Sequence, residues 1–321
     1  MDQIKYTFLL PAFKPDFLEV ALRSIKSQTL KDFKVLVSDD CSPYDLKSIY
    51  NKVCGDDARF SYRRNEVNMG SKSLVSHWNL LVDMCDTEYF IMASDDDIYE
   101  PTFLEEVDKL ASKYPEVDLI RARCKMVNES RNFAFYDGIY QEFTDSLEFV
   151  NLMYLHNSIK CIANYTFRLD ALKAIGGFID FPLAWFSDRA TVMKLSAHGV
   201  ANTKDVLFSF RISDVNITFG KNDEKKAYTK EYATQLYDQW FKDFMISFEK
   251  RKDNMNSYQN GLMLTISGEH RQAIRDEIVR YLPNLSFCHF IEYVGKIDEL
   301  LYRFYCFLVY CKTIIKTLVS R

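Results

Sequence analysis

Glycine is scarce in this chain, ten in 321 residues, and none lies between Pro11 and Asp16, the turn after the first apolar run. A dinucleotide-binding fingerprint and a P-loop both need glycine at such a turn, so that backbone can approach phosphate. Its absence excludes both, and a nicotinamide dehydrogenase with them. Histidine is rarer, five in all, and no two stand at metal-ligand spacing. The eight cysteines (Cys41, Cys54, Cys85, Cys124, Cys161, Cys288, Cys306 and Cys311) include no Cys-x-x-Cys pair. That pattern offers neither a zinc site nor a disulfide frame, and reads as reduced core residues of a cytoplasmic protein. No apolar run is long enough to span a bilayer, no signal-peptide pattern opens the chain, and no internal repeat is visible. A net charge of −4 and a pI near 5.8 argue against nucleic acid as a partner. A local basic pocket for a diphosphate stays compatible with that charge.

What the chain does have is core material: 48% hydrophobic and 15% aromatic residues, enough for one large domain or two smaller ones. Short apolar runs alternate with helical spacing over the first two thirds. Strands are expected at 6–10, 33–37, 59–62, 89–93, 117–124, 162–167 and 206–210. Helices are expected from Asp16, taken as a cap, through Ile25, and at 45–54, 74–84, 103–110, 146–156, 168–175 and 188–197. The stretch 125–144 reads as irregular. Gly176-Gly177 reads as a helix stop. Beyond about residue 220 only helical periodicity remains, over 225–250, over 253–281 with breaks, and over 285–319. The expected division is a domain over 1–220, with halves near 1–100 and 101–220, and a helical extension over 221–321.

Three acidic corners follow strands. Ser94-Asp95-Asp96-Asp97 is expected at a strand-to-helix corner, where open α/β sheets bind ligands. Adjacent carboxylates repel unless a cation or solvent offsets them. Mg²⁺ or Mn²⁺ would take one or two of them and fill its shell with water and phosphate oxygens. A solvated acidic loop is the plain alternative. Ser38-Asp39-Asp40-Cys41-Ser42 offers acceptors for a base edge or a ribose, or else a simple Asx-type turn. Ser187-Asp188 stands at a helix start, where an N-cap is the plain alternative. Lys72, just before the helix at 74–84, faces either a phosphate or solvent.

The order of Pro11-Ala-Phe13, Ser24-Ile-Lys-Ser-Gln-Thr29, Ser38-Asp-Asp-Cys-Ser42, Asn68-x-Gly70, Ser94-Asp-Asp-Asp, Gly176-Gly-Phe178, Ser187-Asp188 and Phe210-Arg211 resembles the family 2 glycosyltransferases, over about residues 4–217. The resemblance implies an inverting enzyme of the GT-A fold: a Rossmann-like, mostly parallel sheet flanked by helices, here with a C-terminal helical extension. It implies donor-nucleotide contacts at Pro11, Phe13, Asp39, Asp40, Ser42, Asn68 and Gly70, and Lys72 is counted with them from its place before the helix. Ser94 replaces the first aspartate of the family's Asp-x-Asp-Asp. Asp96 is then expected as the principal ligand of Mg²⁺ or Mn²⁺, with Asp97 assisting and Asp95 touching the donor sugar or ribose. Asp188 matches the family's general base, although serine replaces the glutamate before it. Arg211 matches an arginine that offsets diphosphate charge, although Ser213 replaces the family's histidine.

The activity implied is sugar transfer from a nucleoside-diphosphate sugar, a UDP-sugar first among them, to a saccharide or lipid-linked saccharide. The setting implied is the cytoplasm or the inner face of the membrane, as in polysaccharide or cell-envelope assembly. Two other readings remain: a non-catalytic nucleotide-sugar-binding protein, and a sugar-phosphate nucleotidyltransferase, whose first loop is typically glycine-rich. The aromatic tail 300–321, with Lys312, Lys316 and Arg321, packs on the catalytic domain, forms a homodimer, or lies on a membrane surface.

Overall fold

The computed structural model describes residues 4–130, 133–155, 157–213, 223–250, 255–295, 297 and 299–319, with 313–319 as backbone only. The chain divides into two compact units, residues 1–180 with 187–216, and residues 181–186 with 217–321.

The first unit is built on one sheet. Among the described residues its strands are β1 (Tyr6–Ala12), β2 (Phe33–Asp39), β3 (Phe60–Arg64), β4 (Tyr89–Met92), β5 (Ile98–Tyr99), β6 (Leu119–Asn128), β7 (Ala134–Tyr136), β8 (Phe143–Thr144), β9 (Tyr165–Arg168) and β10 (Val200–Ile212). The order runs β3-β2-β1-β4-β9-β6-β10-β5, with β7 on β6 and β8 on β10. β3, β2, β1 and β4 are mutually parallel, as are β6 and β10, while β9 runs antiparallel between β4 and β6. Parallel strands are covered on both faces and read as unbroken apolar runs. β1 and β4 accordingly show almost no exposed residue.

The helices α1 (Leu18–Lys26), α2 (Leu46–Cys54), α3 (Leu74–Asp83), α4 (Phe103–Lys113), α5 (Ser146–Leu152), α6 (Leu169–Ala174) and α7 (Ser187–Leu195) belong to this unit. α1, α2 and α4 turn apolar stripes to the sheet: Leu18, Leu22 and Ile25, then Leu46 and Val53, then Phe103, Val107 and Leu110. The core centres on Phe8, whose ring lies 5.1 Å from Tyr99 and 5.8 Å from Phe33.

Register sets the corners side by side. Ala12 pairs with Asp39 and Leu9 with Met92, so the chain leaves β1, β2 and β4 on one edge.

Several expectations are corrected. Asp16 does not cap α1; Phe17 is the cap residue and no side chain bonds the helix end. The acidic triplet does not lead directly into a helix, because β5 intervenes and pairs antiparallel with β10. The stretch 125–144 is not wholly irregular, since β6 runs on to Asn128 and β7 and β8 follow. α5 ends at Leu152, short of the expected 156, which lies outside the described residues. Residues 162–164 form a 3₁₀ turn before β9. Gly176 and Gly177 do stop α6, both at φ 89°, a backbone region that L side chains rarely adopt.

The second unit is helical: α8 (Glu224–Glu249), α9 (Ser257–Tyr281), α10 (Phe287–Gly295) and α11 (Leu300–Val319). The helical periodicity expected over 285–319 is carried by two helices, α10 and α11. Residues 181–186 pack here: Trp185 meets Tyr281 at 6.3 Å and Phe186 stacks on Tyr237 at 4.4 Å. Phe290 of α10 stacks on Tyr310 of α11 at 4.0 Å, and Cys306 is buried beside them. The other side of α11 is bare. Leu300, Leu301, Phe304, Tyr305, Phe307 and Leu308 are exposed, Leu301 by 78%. No described helix is long and apolar enough to cross a membrane.

Candidate active site

Asp39, at the end of β2, is fully buried and works as a hub. Its Oδ1 accepts from Ser42 N at 2.8 Å, closing the Asx-type turn, and its Oδ2 accepts from Tyr62 Oη at 2.6 Å and from the Arg64 guanidinium. Arg64 Nη2 also donates to Ser42 O at 2.7 Å, and Ser42 Oγ donates to Phe13 O at 2.6 Å. Asp40 turns to the next loop, accepting from Met69 N at 2.9 Å, Gly70 N at 2.7 Å and Asn65 Nδ2 at 2.8 Å. Between these residues Cys41 sits at φ 54°, a conformation that costs a non-glycine residue energy and recurs at ligand-binding corners. His77 of α3 is buried behind Asp40, with Nε2 3.0 Å from Ser38 Oγ. Burial pushes its imidazole down, against the pull of the Asp40 carboxylate.

The acidic triplet lies alongside. Asp95 Oδ2 accepts from Phe13 N and Lys14 N, both at 2.8 Å, which ties the loop after β1 to the loop after β4. Ser94 Oγ donates to Asp96 Oδ1, and Lys14 Nζ donates to Asp96 Oδ2 at 3.0 Å. Asp97 Oδ1 accepts from Arg211 N at 2.8 Å. All three carboxylates are buried. Burial pushes the Asp95 carboxyl up, with Lys14 opposing and Asp96 adding. Burial, then the charge of Asp96, pushes Asp97 well above the usual range. For Lys14 burial disfavours the ammonium, but Asp95 and Asp96 outweigh it and raise its affinity for the proton.

Arg211, at the end of β10, is only 2% exposed. Its Nε donates to Asp96 O at 2.9 Å, its Nη1 donates to Glu129 O at 3.1 Å, and its guanidinium lies 4.1 Å from the Phe17 ring centre. It holds the backbone of the triplet. Asp188 lies in the first turn of α7, half-buried, with Oδ1 accepting from Arg189 N at 2.7 Å. Burial pushes its carboxyl up and Arg189 offsets part of that. The buried Cys161 thiol, raised first by burial, feels the charge of both Asp97 and Asp188.

The structure therefore brings Phe13, Asp39, Asp40, Ser42, Gly70, Asp95, Asp96, Asp97 and Arg211 into one connected corner. Pro11 is half-buried in β1, at the root of that corner. Asn68 is used locally, its Oδ1 accepting from Ser71 N at 2.8 Å, and Lys72 is exposed before α3. Lys14, Tyr62, Arg64 and His77 were not singled out in the sequence, because their partners are brought to them by the sheet register.

Among the described residues no group of three or more histidine, cysteine, aspartate or glutamate side chains is placed to hold a metal ion. The donor set is still a fit for a hard divalent cation. It is all oxygen, and a positive group, the Lys14 ammonium, already rests on Asp96 with Asp95 Oδ1 at 3.8 Å. Such a cation needs only one or two carboxylates, with phosphate oxygens and water as the remainder.

A family model described as Glycosyl transferase family 2 matches residues 8–176, just over half of the chain. Protein CgeD of Bacillus subtilis is 24% identical over 129 residues, 39% of this chain and 30% of that protein. A GalNAc(5)-diNAcBac-PP-undecaprenol beta-1,3-glucosyltransferase of Campylobacter jejuni is 38% identical over 63 residues, 19% of this chain and 20% of that protein. The chain thus matches less than a third of the length of either relative. Among solved structures, S. aureus TarS 1-349 in complex with UDP-GlcNAc superposes with a TM-score of 0.57 at 14% identity, over 96% of this chain and 89% of that one. The mannosyltransferase PcManGT of Pyrobaculum calidifontis, in complex with GDP-Man and Mn²⁺, gives 0.55 at 15% identity, over 99% and 88%. At these identities the likeness is one of fold, the mixed sheet of the GT-A type.

Proposed function

Since the chain belongs to glycosyl transferase family 2, we propose that it transfers a sugar from a nucleoside-diphosphate donor, a UDP-sugar, to a hydroxyl of a saccharide or lipid-linked saccharide, with inversion. The observation that carries this reading is the connected corner at the exits of β1, β2 and β4. There Asp39 and Asp40 brace the loops of a nucleotide pocket, and the triplet lies on the far side of Phe13 and Lys14. The nucleotide sugars named with TarS and with the mannosyltransferase support the donor class.

In the proposed reaction the acceptor hydroxyl attacks the anomeric carbon in line with the departing diphosphate. Asp188 accepts the hydroxyl proton. Its buried carboxyl holds a proton more tightly than an exposed one, which makes it a better base once ionised. One attack with one base gives inversion and no covalent sugar–enzyme intermediate. Mg²⁺ or Mn²⁺, held by Asp96 and Asp97, would supply the charge neutralisation that a leaving diphosphate needs. Asp95 fixes the loop of Phe13 and Lys14 through two backbone bonds, and Arg211 fixes the triplet through the carbonyl of Asp96. Asp39 aims Tyr62 and Arg64, so its role toward the base is to position them. Lys72, exposed ahead of α3, remains a candidate for a phosphate contact.

For the acceptor side we propose a lipid surface under α11. Its exposed arc is apolar and carries Lys312. Residues 300–321 contain four basic residues (Arg303, Lys312, Lys316 and Arg321) and no acidic one, in a chain of net charge −4. The side chains of Lys316 and Arg321 lie outside the described residues.

The deciding experiment is thermal unfolding of the full chain with UDP-, GDP- and dTDP-sugars, with and without Mn²⁺. A ligand at 100 times its Kd adds about 2.7 kcal/mol to stability, an easily measured shift. A metal-dependent shift with UDP-sugars, lost in Asp96→Asn, is the expected result. No shift with any nucleotide would reduce the corner to a structural feature and overturn the proposal.

A further inference from the structure

The residue proposed to hold the divalent cation already has a cation on it. Lys14 Nζ lies 3.0 Å from Asp96 Oδ2 and 3.8 Å from Asp95 Oδ1. The arrangement is built from the root of the side chain, since Phe13 N and Lys14 N both donate to Asp95 Oδ2 at 2.8 Å and fix where the lysine starts. Its side chain is 27% exposed, so the ammonium has a way out. The carboxylates have none: Asp95 and Asp96 side chains are 8% and 4% exposed. A divalent ion reaching Asp96 therefore meets the ammonium on the same oxygen, and two like charges at that distance repel strongly in a poorly solvated corner.

We propose that Lys14 is the resident counter-ion of this corner, and that a divalent cation binds well only when a diphosphate arrives to take the ammonium from it. This inference rests on the donor reading above. Without a diphosphate, the ion must expel Lys14 into solvent with no new partner for it. With a diphosphate, the ammonium moves to a phosphate oxygen and the ion moves to Asp96, so every positive charge again faces a negative one. Metal and donor then bind with positive coupling, and the coupling is reciprocal. Lys14 is in this account a positioning residue for the leaving group, and until a diphosphate arrives it offsets the charge of Asp96.

The test is an Mn²⁺ titration of the full chain followed by electron paramagnetic resonance, which reads bound metal and needs no turnover. Wild type, Lys14→Met, Lys14→Gln and Lys14→Arg are compared without nucleotide, and then with UDP, corrected for Mn–UDP in free solution. Melting curves check that each variant is folded, and the Met and Gln variants back each other up. Without nucleotide, Lys14→Met and Lys14→Gln are expected to bind Mn²⁺ about fivefold tighter than wild type, the change that one partly exposed charge contact of about 1 kcal/mol would give. Lys14→Arg is expected to stay near wild type. UDP should tighten Mn²⁺ binding by a larger factor in wild type than in the uncharged variants. The gain from removing Lys14 should vanish in an Asp96→Asn background. Equal affinity in all four proteins, no Mn²⁺ binding by any of them, or a gain that persists with Asp96→Asn overturns the proposal. Failure of UDP to bind any variant would count against the donor reading instead, while the nucleotide-free comparison still decides the role of Lys14.

Discussion

Gly70 marks how little room there is in the corner around Asp40. A Cβ there would stand 2.9 Å from Asp40 Oδ2, the oxygen to which Gly70 N donates. Gly70→Ala is expected to cost ~1–3 kcal/mol of stability, as overpacking does. It should also weaken nucleotide binding, since the loop must back away from Asp40; a melt with and without UDP measures both. Asp188→Asn is expected to lower turnover by ~10²–10⁴-fold, with donor affinity unchanged. The sign of the pH effect follows from the raised carboxyl. The base must be ionised, so turnover rises with pH through a limb above the ordinary carboxylate range, and Asp188→Asn loses that limb. The places of Asp96 and Asp97 after a strand and of Asp188 at a helix start were legible because short local patterns mark them. Tyr62 and Arg64 were not, because Asp39 reaches them only when β2 and β3 pair, Asp39 opposite Arg64.

At the scale of elements, length decided what could be read. β1, β2 and β4 are buried runs of four to seven residues with turn chemistry beside them. β5 has two residues and owes its existence to β10, so nothing local announces it. Asp16 looked like a cap, yet α1 begins without a side-chain bond, held by packing of Leu18 and Leu22. The strands β6 and β7 hide an ion pair that no motif marks. Arg121 of β6 pairs with Asp137 after β7, both buried, and Asp137 also accepts from Ile159 N at 3.0 Å. Asp137→Ala strands a buried guanidinium and is expected to destabilise the first unit by ~3–5 kcal/mol. Chemical denaturation that shows a loss under 1 kcal/mol would mean that water reaches Arg121.

On the scale of the molecule, the matched family model ends before the last candidate site residues. The matched segment stops at residue 176, while Asp188 and Arg211 come later. The helical unit was legible as helices from its periodicity alone, but the break between α10 and α11, and the membership of residues 181–186, depend on packing around Phe290 and Trp185. Cutting the chain near residue 285 would remove Phe290, Cys306 and Tyr310 from that core, so the lipid surface is better probed by substitution. Leu301→Glu, Phe304→Glu and Leu308→Glu together should abolish flotation with anionic vesicles and leave the melting curve of the chain in place. If instead the variant changes from dimer to monomer in sedimentation, with flotation never seen, α11 is an interface between copies.

The bond from Arg211 N to Asp97 Oδ1 joins residues 114 apart in sequence. Pairings of that reach are the slow step of folding, because a long loop must close before any contact rewards it. During synthesis the three carboxylates leave the ribosome more than a hundred residues ahead of the strand end that brackets them. A nascent chain therefore carries its acidic corner open until β10 has been made and threaded between β6 and β5. The connected corner at the exits of β1, β2 and β4 is therefore acquired late, as the sheet is completed.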